Sequence, residues 1–408
     1  MKDGMPATGS GSGGSSVLYA WEFGANLGHI GTFLPVARAL RQRGTRVHWA
    51  VAHPQQAVQL LPAEGFAWFQ APCAPETPRE GPPLNYADIL LRFGYAHALQ
   101  LLATVVPWRE LIRASGAQLV LADHAPTAIL AARTLDIPVM LFGGGFFAPP
   151  RRHPTPNMRP WAPIPESTLL AIDAQVIPAI NGVLHHFGKP RVTSVADLFD
   201  VAEDSLLTFP ELDHYAERGP ARYWGTLPAA VAAAPHWPDA PGPRVYAYLR
   251  PETPHCHAAL ASLHRLAGSV LVFAPGLPAA VREQYAAPHL HFASGPVDLT
   301  TAAQQADAAV TYASPAATIA FLMAGKPILM VPGHLEQYLF ARRVEEIGAG
   351  LVLNMDQPAD QLPGLLQRLL GDTSLAANAA GFARKYAHFD QGAVITHIAD
   401  RIGELARG

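Results

Sequence analysis

Short apolar runs alternate along the chain with longer segments of helical periodicity. The run VLYAWEFGA ends in glycine. The segment after it, GHIGTFLPVARALRQRG, carries apolar residues at Phe33, Leu34, Val36, Ala37 and Leu40, the spacing of one helix face. Thr32 is its expected N-cap, which would put Pro35 in the first turn, where proline is tolerated. TRVHWAVA then reads as a strand. The unit recurs as QLVLAD, APTAILAARTLD and IPVMLFG. RVYAYLR, SVLVFAPG, LHFAS, AAVTYA, PILMVPG and GLVL repeat the style in the second half, with helical segments between several of them. Such alternation predicts an α/β fold of parallel sheets covered by helices on both faces.

A stretch rich in Pro, Ala and Gly separates the two halves. The expected organisation is a flexible tail over 1–16, a Rossmann-like domain over 17–216, a linker over 217–244, a second Rossmann-like domain over 245–390 and a terminal helix over 391–408 that could pack on either domain. With 408 residues, two or three domains are expected at about 150 residues each. In doubly wound sheets ligands bind beyond the carboxyl ends of the strands, so the two domains should face each other across a cleft lined by those loops.

Composition narrows the function classes. Net charge is −3 with 15% charged residues and no basic stripe, which argues against nucleic acid as a partner. The two cysteines, Cys73 and Cys256, allow one disulfide but no framework, so a reducing, cytoplasmic setting is expected. The tail MKDGMPATGSGSGGSS has no apolar core of a secretory signal, and no uninterrupted apolar run is long enough for a membrane span. Oligomeric state is not legible.

Few motifs carry chemistry. GSGSGG, from Gly9 to Gly14, matches GxGxxG but precedes the first strand, where a dinucleotide motif cannot work. His255-Cys256-His257 has no second pair at ligand spacing, and no DxD tripeptide offers carboxylates to a divalent ion, so no metal is expected. The loop GANLGHIGT sets His29 at a helix start beside the expected cleft, as a proton acceptor or a capping residue. Asp123, ending LVLAD, is its candidate partner or an N-cap for the helix near Pro126, with His124 adjacent as a competitor for the chemistry. Glu336 and Gln337 open another helix, either as charge complementation at its N-terminus or as a pair that offers acceptors and donors to several hydroxyls, which suits a sugar. The basic loop Arg151 to Arg159 is expected to be solvated, with an anionic acceptor as the alternative partner. The stretch TYASPAATIAFLMAGKP places small residues where a helix N-terminus could meet an anion, with no basic residue until Lys326.

These segments resemble, in order and spacing, the GT-B glycosyltransferases of the natural-product branch related to UDP-glycosyltransferases. GHIGTFLPVARALRQRGTRVHWAV, LVLADHAPTAILAARTLDIPVMLF, LLTFPELDHYAERGPARYWGTLP and TYASPAATIAFLMAGKPILMVPGHLEQYLFARRVEEIGAG carry the likeness over nearly the whole chain. The resemblance implies two facing Rossmann-like domains and an inverting, metal-independent transfer of a sugar from a nucleotide-diphosphate donor, UDP- or dTDP-linked, to a small hydroxyl acceptor. It implies His29 as general base, Asp123 as its acidic partner, Glu336 and Gln337 at the donor sugar, and Tyr312 to Thr318 as the diphosphate turn, with Ser314, Ala316 and Ala317 within it. The acceptor is expected against Asn26, Tyr86, Phe93, Phe146 and Phe147. No cofactor beyond the sugar donor is implied.

The turn departs from the family pattern. Tyr312 stands where many relatives carry histidine, Ser314 where they carry glycine, and Ala320 where an acidic residue often holds the ribose. The turn opening the second domain reads LRP, Leu249 to Pro251. Arg250 is therefore the expected source of positive charge. The altered turn also fits a second reading, an auxiliary protein that binds a nucleotide sugar without transferring it.

Overall fold

The computed structural model describes residues 14–24, 28–216, 218–228 and 232–408. The first domain runs β1 (Ser16–Trp21), α1 (Gly28–Gln42), β2 (Arg46–Val51), α2 (Pro54–Leu60), β3 (Trp68–Gln70), α3 (Tyr86–Arg92), α4 (Ala98–Ser115), β4 (Leu119–Asp123), α5 (Pro126–Thr134), β5 (Val139–Leu141), α6 (Glu166–His186), β6 (Ser205–Leu206) and β7 (Arg222–Tyr223). The second runs β8 (Arg244–Tyr248), α7 (Cys256–His264), β9 (Ser269–Phe273), α8 (Ala279–Gln284), β10 (Leu290–Phe292), α9 (Leu299–Gln305), β11 (Ala308–Thr311), α10 (Pro315–Met323), β12 (Ile328–Met330), α11 (Leu335–Glu346), β13 (Gly350–Val352), α12 (Leu362–Gly371) and α13 (Thr373–Lys385). The chain ends in α14 (Gln391–Leu405).

Two parallel sheets result, ordered β3-β2-β1-β4-β5 and β10-β9-β8-β11-β12-β13. Strand order reverses between β1 and β4 in the first sheet and between β8 and β11 in the second. Those reversals open the crevices in which such sheets bind ligands.

Alternation along single strands explains why both faces are covered. Val17, Tyr19 and Trp21 of β1 enter the core beneath α1, whereas Leu18 and Ala20 enter the one beneath α3 to α6. Every residue of β1 is buried, as central strands of parallel sheets require. In the second domain Tyr246 points to one core and Val245 and Ala247 to the other.

One detail differs from the sequence expectation. Helix α1 begins at Gly28, not after Thr32, so Thr32 lies inside it and Pro35 beyond its first turn. Proline's fixed φ is itself helical, and the only bond it forfeits is the one to the Gly31 carbonyl. The terminal helix packs on the first domain: Val394, Ile398, Ala399 and Ile402 join the core beneath α1. Within the stretch read as linker, Arg222–Tyr223 pairs with Ser205–Leu206. Among residues 9–14 only Gly14 is described, so the GxGxxG match lies outside the described residues.

Candidate active site

The register of the first sheet sets Trp21 opposite Asp123 at the carboxyl ends of β1 and β4. Helix α1 starts just beyond, so His29 is brought directly over Asp123. His29 Nδ1 lies 2.8 Å from Asp123 Oδ2, both side chains being nearly enclosed. The Tyr19 hydroxyl lies 2.6 Å from the same carboxylate oxygen and 3.0 Å from the His29 carbonyl oxygen. Asp123 does not cap α5, whose N-cap is Ala125.

With Nδ1–H donated to the carboxylate, Nε2 is the free acceptor of the ring. The ring itself is clamped, stacked on Trp21 at 4.7 Å and tilted against Phe147 at 5.3 Å. Burial alone would disfavour the imidazolium, but the Asp123 charge and hydrogen bond, with Glu336 adding to them, leave His29 raised above its ordinary range. His124 differs. Its φ is 47°, its ring stacks on Phe147 at 4.3 Å, and neither ring nitrogen has a partner among the described residues. Burial pushes it well below the ordinary range, and the His29 charge adds to that.

The loop after β5 completes this half. Gly143 has a φ of 118°, and a Cβ there would lie 2.5 Å from Asp123 Oδ1. At Gly145 a Cβ would lie 2.3 Å from Asp213 Oδ1. The backbone can therefore pass close to both carboxylates only as glycine. A buried Arg218–Asp213 ion pair at 2.5 Å holds the loop, because Arg218 also donates to the carbonyls of Gly145 (2.9 Å) and Ala148. Phe147 is thereby presented to His29.

From the second domain, Glu336 enters in the first turn of α11. It faces His29 and Asp123 electrostatically, and burial together with Asp123 pushes its carboxyl up to about 7 against the opposing pull of His29. Gln337 Oε1 accepts from the Gly333 N–H at 2.7 Å, leaving its amide N–H groups for a ligand.

The turn between β11 and α10 is strained. Ala313 has a φ of 65°, the left-handed region that favours glycine. Its N–H donates to Thr311 Oγ1 at 3.1 Å, and Thr311 Oγ1 lies 3.3 Å from Thr318 Oγ1. Thr318 therefore braces the turn from inside: it is fully buried, and its N–H bonds the Ser314 carbonyl at 2.9 Å. Thr318, expected at the end of the diphosphate turn, thus spends its N–H and hydroxyl inside the turn rather than on an anion. The N–H groups of Ala316 and Ala317, in the first helical turn, have no carbonyl one turn back to bond. Ser314 is the N-cap, and its side chain makes no cap bond. Tyr312 packs edge-on against Tyr248 at 4.9 Å, and burial raises its hydroxyl, so it stays a neutral donor. Arg250, on the facing turn, pairs with Glu252 at 2.8 Å.

The expected acceptor residues divide. Phe93 stacks on Phe23 at 4.3 Å, and Phe146 and Phe147 meet edge to face at 5.8 Å. Tyr86 is fully enclosed, against Phe199 and His124, and presents no surface to the cleft. It follows Asn85, which caps α3, and so starts a helix whose inner face is core. Asn26 lies outside the described residues.

Other candidates have local partners. His255 Nε2 lies 2.9 Å from the Asn354 carbonyl oxygen, and Cys256 is packed in the core. Both cysteines are free. In the basic loop Arg151 pairs with Asp200, and Arg159 donates to the Pro83 carbonyl. Sequence reasoning missed Tyr19, Gly143, Ala313 and the Arg218–Asp213 clamp. It also missed Glu22, whose Oε2 accepts from the Thr127 N–H at 2.9 Å and so caps α5. The GGG triplet before Phe146 was the one local signal for this loop.

No family model matches the chain. A UDP-N-acetylglucosamine–N-acetylmuramyl-(pentapeptide) pyrophosphoryl-undecaprenol N-acetylglucosamine transferase of Polaromonas sp. is 42% identical over 71 residues, 14% of this chain and 18% of that protein. Among solved structures, the calicheamicin glycosyltransferase CalG4 aligns with a TM-score of 0.69 at 20% identity, over 96% of this chain and 98% of that one. The spinosyn rhamnosyltransferase SpnG gives 0.66 at 17%, over 95% and 100%. The glycosyltransferase VinC, solved in complex with dTDP, gives 0.66 at 19%, over 96% and 100%. Two parallel, doubly wound sheets, matched over nearly the full length of each of these enzymes, give the chain the GT-B fold of glycosyltransferases.

Proposed function

We propose that the protein is an inverting glycosyltransferase that moves a sugar from a nucleotide-diphosphate donor to the hydroxyl of a small-molecule acceptor. The observation that carries this reading is the His29–Asp123 pair at 2.8 Å, set at the strand-order reversal of the first sheet and faced by Glu336 from the second domain. VinC with dTDP, and SpnG with thymidine diphosphate or spinosyn aglycone, are solved complexes on the same fold, which supports a donor and an acceptor of these classes here.

His29 Nε2 takes the acceptor proton as the hydroxyl oxygen attacks the anomeric carbon. The bond from that carbon to the diphosphate oxygen breaks on the opposite face, so configuration inverts. Asp123 fixes the tautomer and stabilises the imidazolium as it forms. Tyr19, bonded to the same carboxylate, keeps Asp123 in place. Negative charge develops on the departing diphosphate, where the N–H groups of Ala316 and Ala317 and the positive end of α10 receive it without a metal ion. Ser314, Tyr312 and Arg250 supply further donors. Glu336 and Gln337 bind sugar hydroxyls. Phe93, Phe146 and Phe147 form an apolar wall for the acceptor. The reaction takes place in a cytoplasmic setting.

The test is transfer from UDP- and dTDP-sugars to a panel of hydroxyl acceptors, followed by mass spectrometry. Product formation with inverted anomeric configuration is expected. Binding of a nucleotide sugar without turnover on any acceptor would instead support the auxiliary reading, which the strained, histidine-free turn favours.

A further inference from the structure

A second cavity lies where the two domains meet, away from His29. It has a volume of about 230 Å³. One wall is the segment 150–160 together with His214 and Tyr215, and the other is the last turns of α11, with Leu339, Arg342, Arg343 and Glu346.

The first wall is built to hold its shape. Asp173, fully buried on α6, accepts from the Thr155 N–H at 2.8 Å, the Thr155 hydroxyl at 2.6 Å and Asn85 Nδ2 at 3.0 Å. Met158 N–H bonds the Leu84 carbonyl at 2.8 Å. Tyr215 N–H bonds Asp213, the residue already fixed by Arg218.

The lining is rich in donors that lack acceptors. Arg342 and Arg343 each pair with Glu346, and the Arg342 guanidinium also lies 5.2 Å from the Trp161 ring. After those pairings Arg342 Nη1 and Arg343 Nε remain buried with no partner among the described residues. The Tyr215 hydroxyl and both ring nitrogens of His214 are likewise buried without partners among the described residues. Burial, with the Arg218, His334 and Arg343 charges, lowers His214 to about 4 against the opposing pull of Asp213, so near neutral pH it is uncharged and carries one N–H. Among the described lining residues three guanidiniums, Arg152, Arg342 and Arg343, stand against the Glu346 carboxylate and leave a net positive charge. A buried donor without an acceptor is costly, and several beside one cavity point to a missing acceptor-rich group.

We propose that this cavity is a binding site for a small oxyanion of the phosphate class, held between Arg342 and Arg343 on one wall and His214 and Tyr215 on the other. Guanidinium groups match a tetrahedral oxyanion through directed N–H groups, and the aromatic hydroxyl and imidazole N–H complete its coordination. A ligand that joins both walls ties α11 to the first domain. The same helix carries Glu336 at its other end, so the anion also fixes where that carboxylate meets His29.

Inorganic phosphate, titrated calorimetrically into the full-length protein near neutral pH at constant ionic strength, tests the site. The titration is run alone and with UDP and dTDP in excess, because phosphate at the α10 turn would be displaced by these nucleotides. The expected result is one saturable phosphate site per chain, retained in their presence. Arg342→Ala and Arg343→Ala each weaken it about tenfold or more, as expected for loss of a charge-assisted bond. Arg342→Lys keeps a cation beside Trp161, weakens binding less, and serves if the alanine variants fail to fold. A cavity holding only water, seen as no saturable heat, would overturn the proposal. So would phosphate binding that survives both alanine substitutions in folded protein, or that the nucleotides displace.

Discussion

His29 has its proton affinity set by two opposed forces, burial and the Asp123 carboxylate, and the carboxylate prevails. The sign of the pH dependence follows. The general base proposed at His29 must be neutral to act, so kcat/KM should rise with pH along a limb whose midpoint lies above the ordinary histidine value of 6.5. In Asp123→Asn the raising charge is gone and burial is opposed only by Glu336. The limb should move to lower pH while the plateau falls about 10²- to 10⁴-fold. A pH–rate profile of the two proteins checks both. Glu22 gives a stability prediction. Burial raises its carboxyl to about 8, from 4.5, so the folded state favours the protonated form. Wild-type stability should therefore decline as pH rises from about 5 to about 8, and Glu22→Gln, which stays neutral, should gain on it over that window. Urea midpoints across pH measure this. His29 and Asp123 were legible because strand and helix signals fixed where each falls. Tyr19 and Glu22 were not, because an apolar strand gives no local sign that Tyr19 within it turns toward β4 and Glu22 just after it toward α5.

The turn into α10 and the helix itself act as one element. Ala313 occupies a left-handed backbone position that costs an L-residue roughly 1 kcal/mol. Ala313→Gly should therefore raise stability by about 0.5–1 kcal/mol. Unchanged or lower stability in urea unfolding would mean the strain is relieved elsewhere. Arg250 faces this turn but shares its charge with Glu252. Arg250→Ala should weaken nucleoside-diphosphate binding about tenfold, and calorimetric titration giving an unchanged Kd would remove Arg250 from the donor site. The helix was legible from its apolar run and Pro315. That Thr318 spends its N–H and hydroxyl inside the turn was not, since it depends on Thr311 approaching across the strand end. Likewise the start of α1 was misplaced because Thr32 is a strong local cap signal, whereas the geometry beyond β1 starts the helix a turn earlier.

Across the whole molecule the alternation of strands and helices was enough to read two doubly wound sheets, because each strand run is short and segments of helical periodicity lie between several of them. The destination of α14 was not readable, since its apolar face suits either domain. The structure sends it back to the first domain, where Ile398 is fully buried beside the core under α1. Other contacts tie the halves together: Lys385 and the Tyr386 hydroxyl, from the end of α13, both reach Glu211, and Trp161 meets Tyr338 edge-on at 4.9 Å. Ile398→Ala should cost about 2–5 kcal/mol in the first domain, seen as a lower urea midpoint, without changing nucleotide affinity in the folded protein.

Sugar transfer by wild type and His29→Ala, measured by mass spectrometry with UDP- and dTDP-sugars and a panel of hydroxyl acceptors, tests the central claim most directly. Wild type should yield glycosylated acceptor, and His29→Ala should bind donor normally yet lose about 10²- to 10⁴-fold in rate. Full transfer by His29→Ala, or no transfer by wild type from any donor it binds, would contradict it.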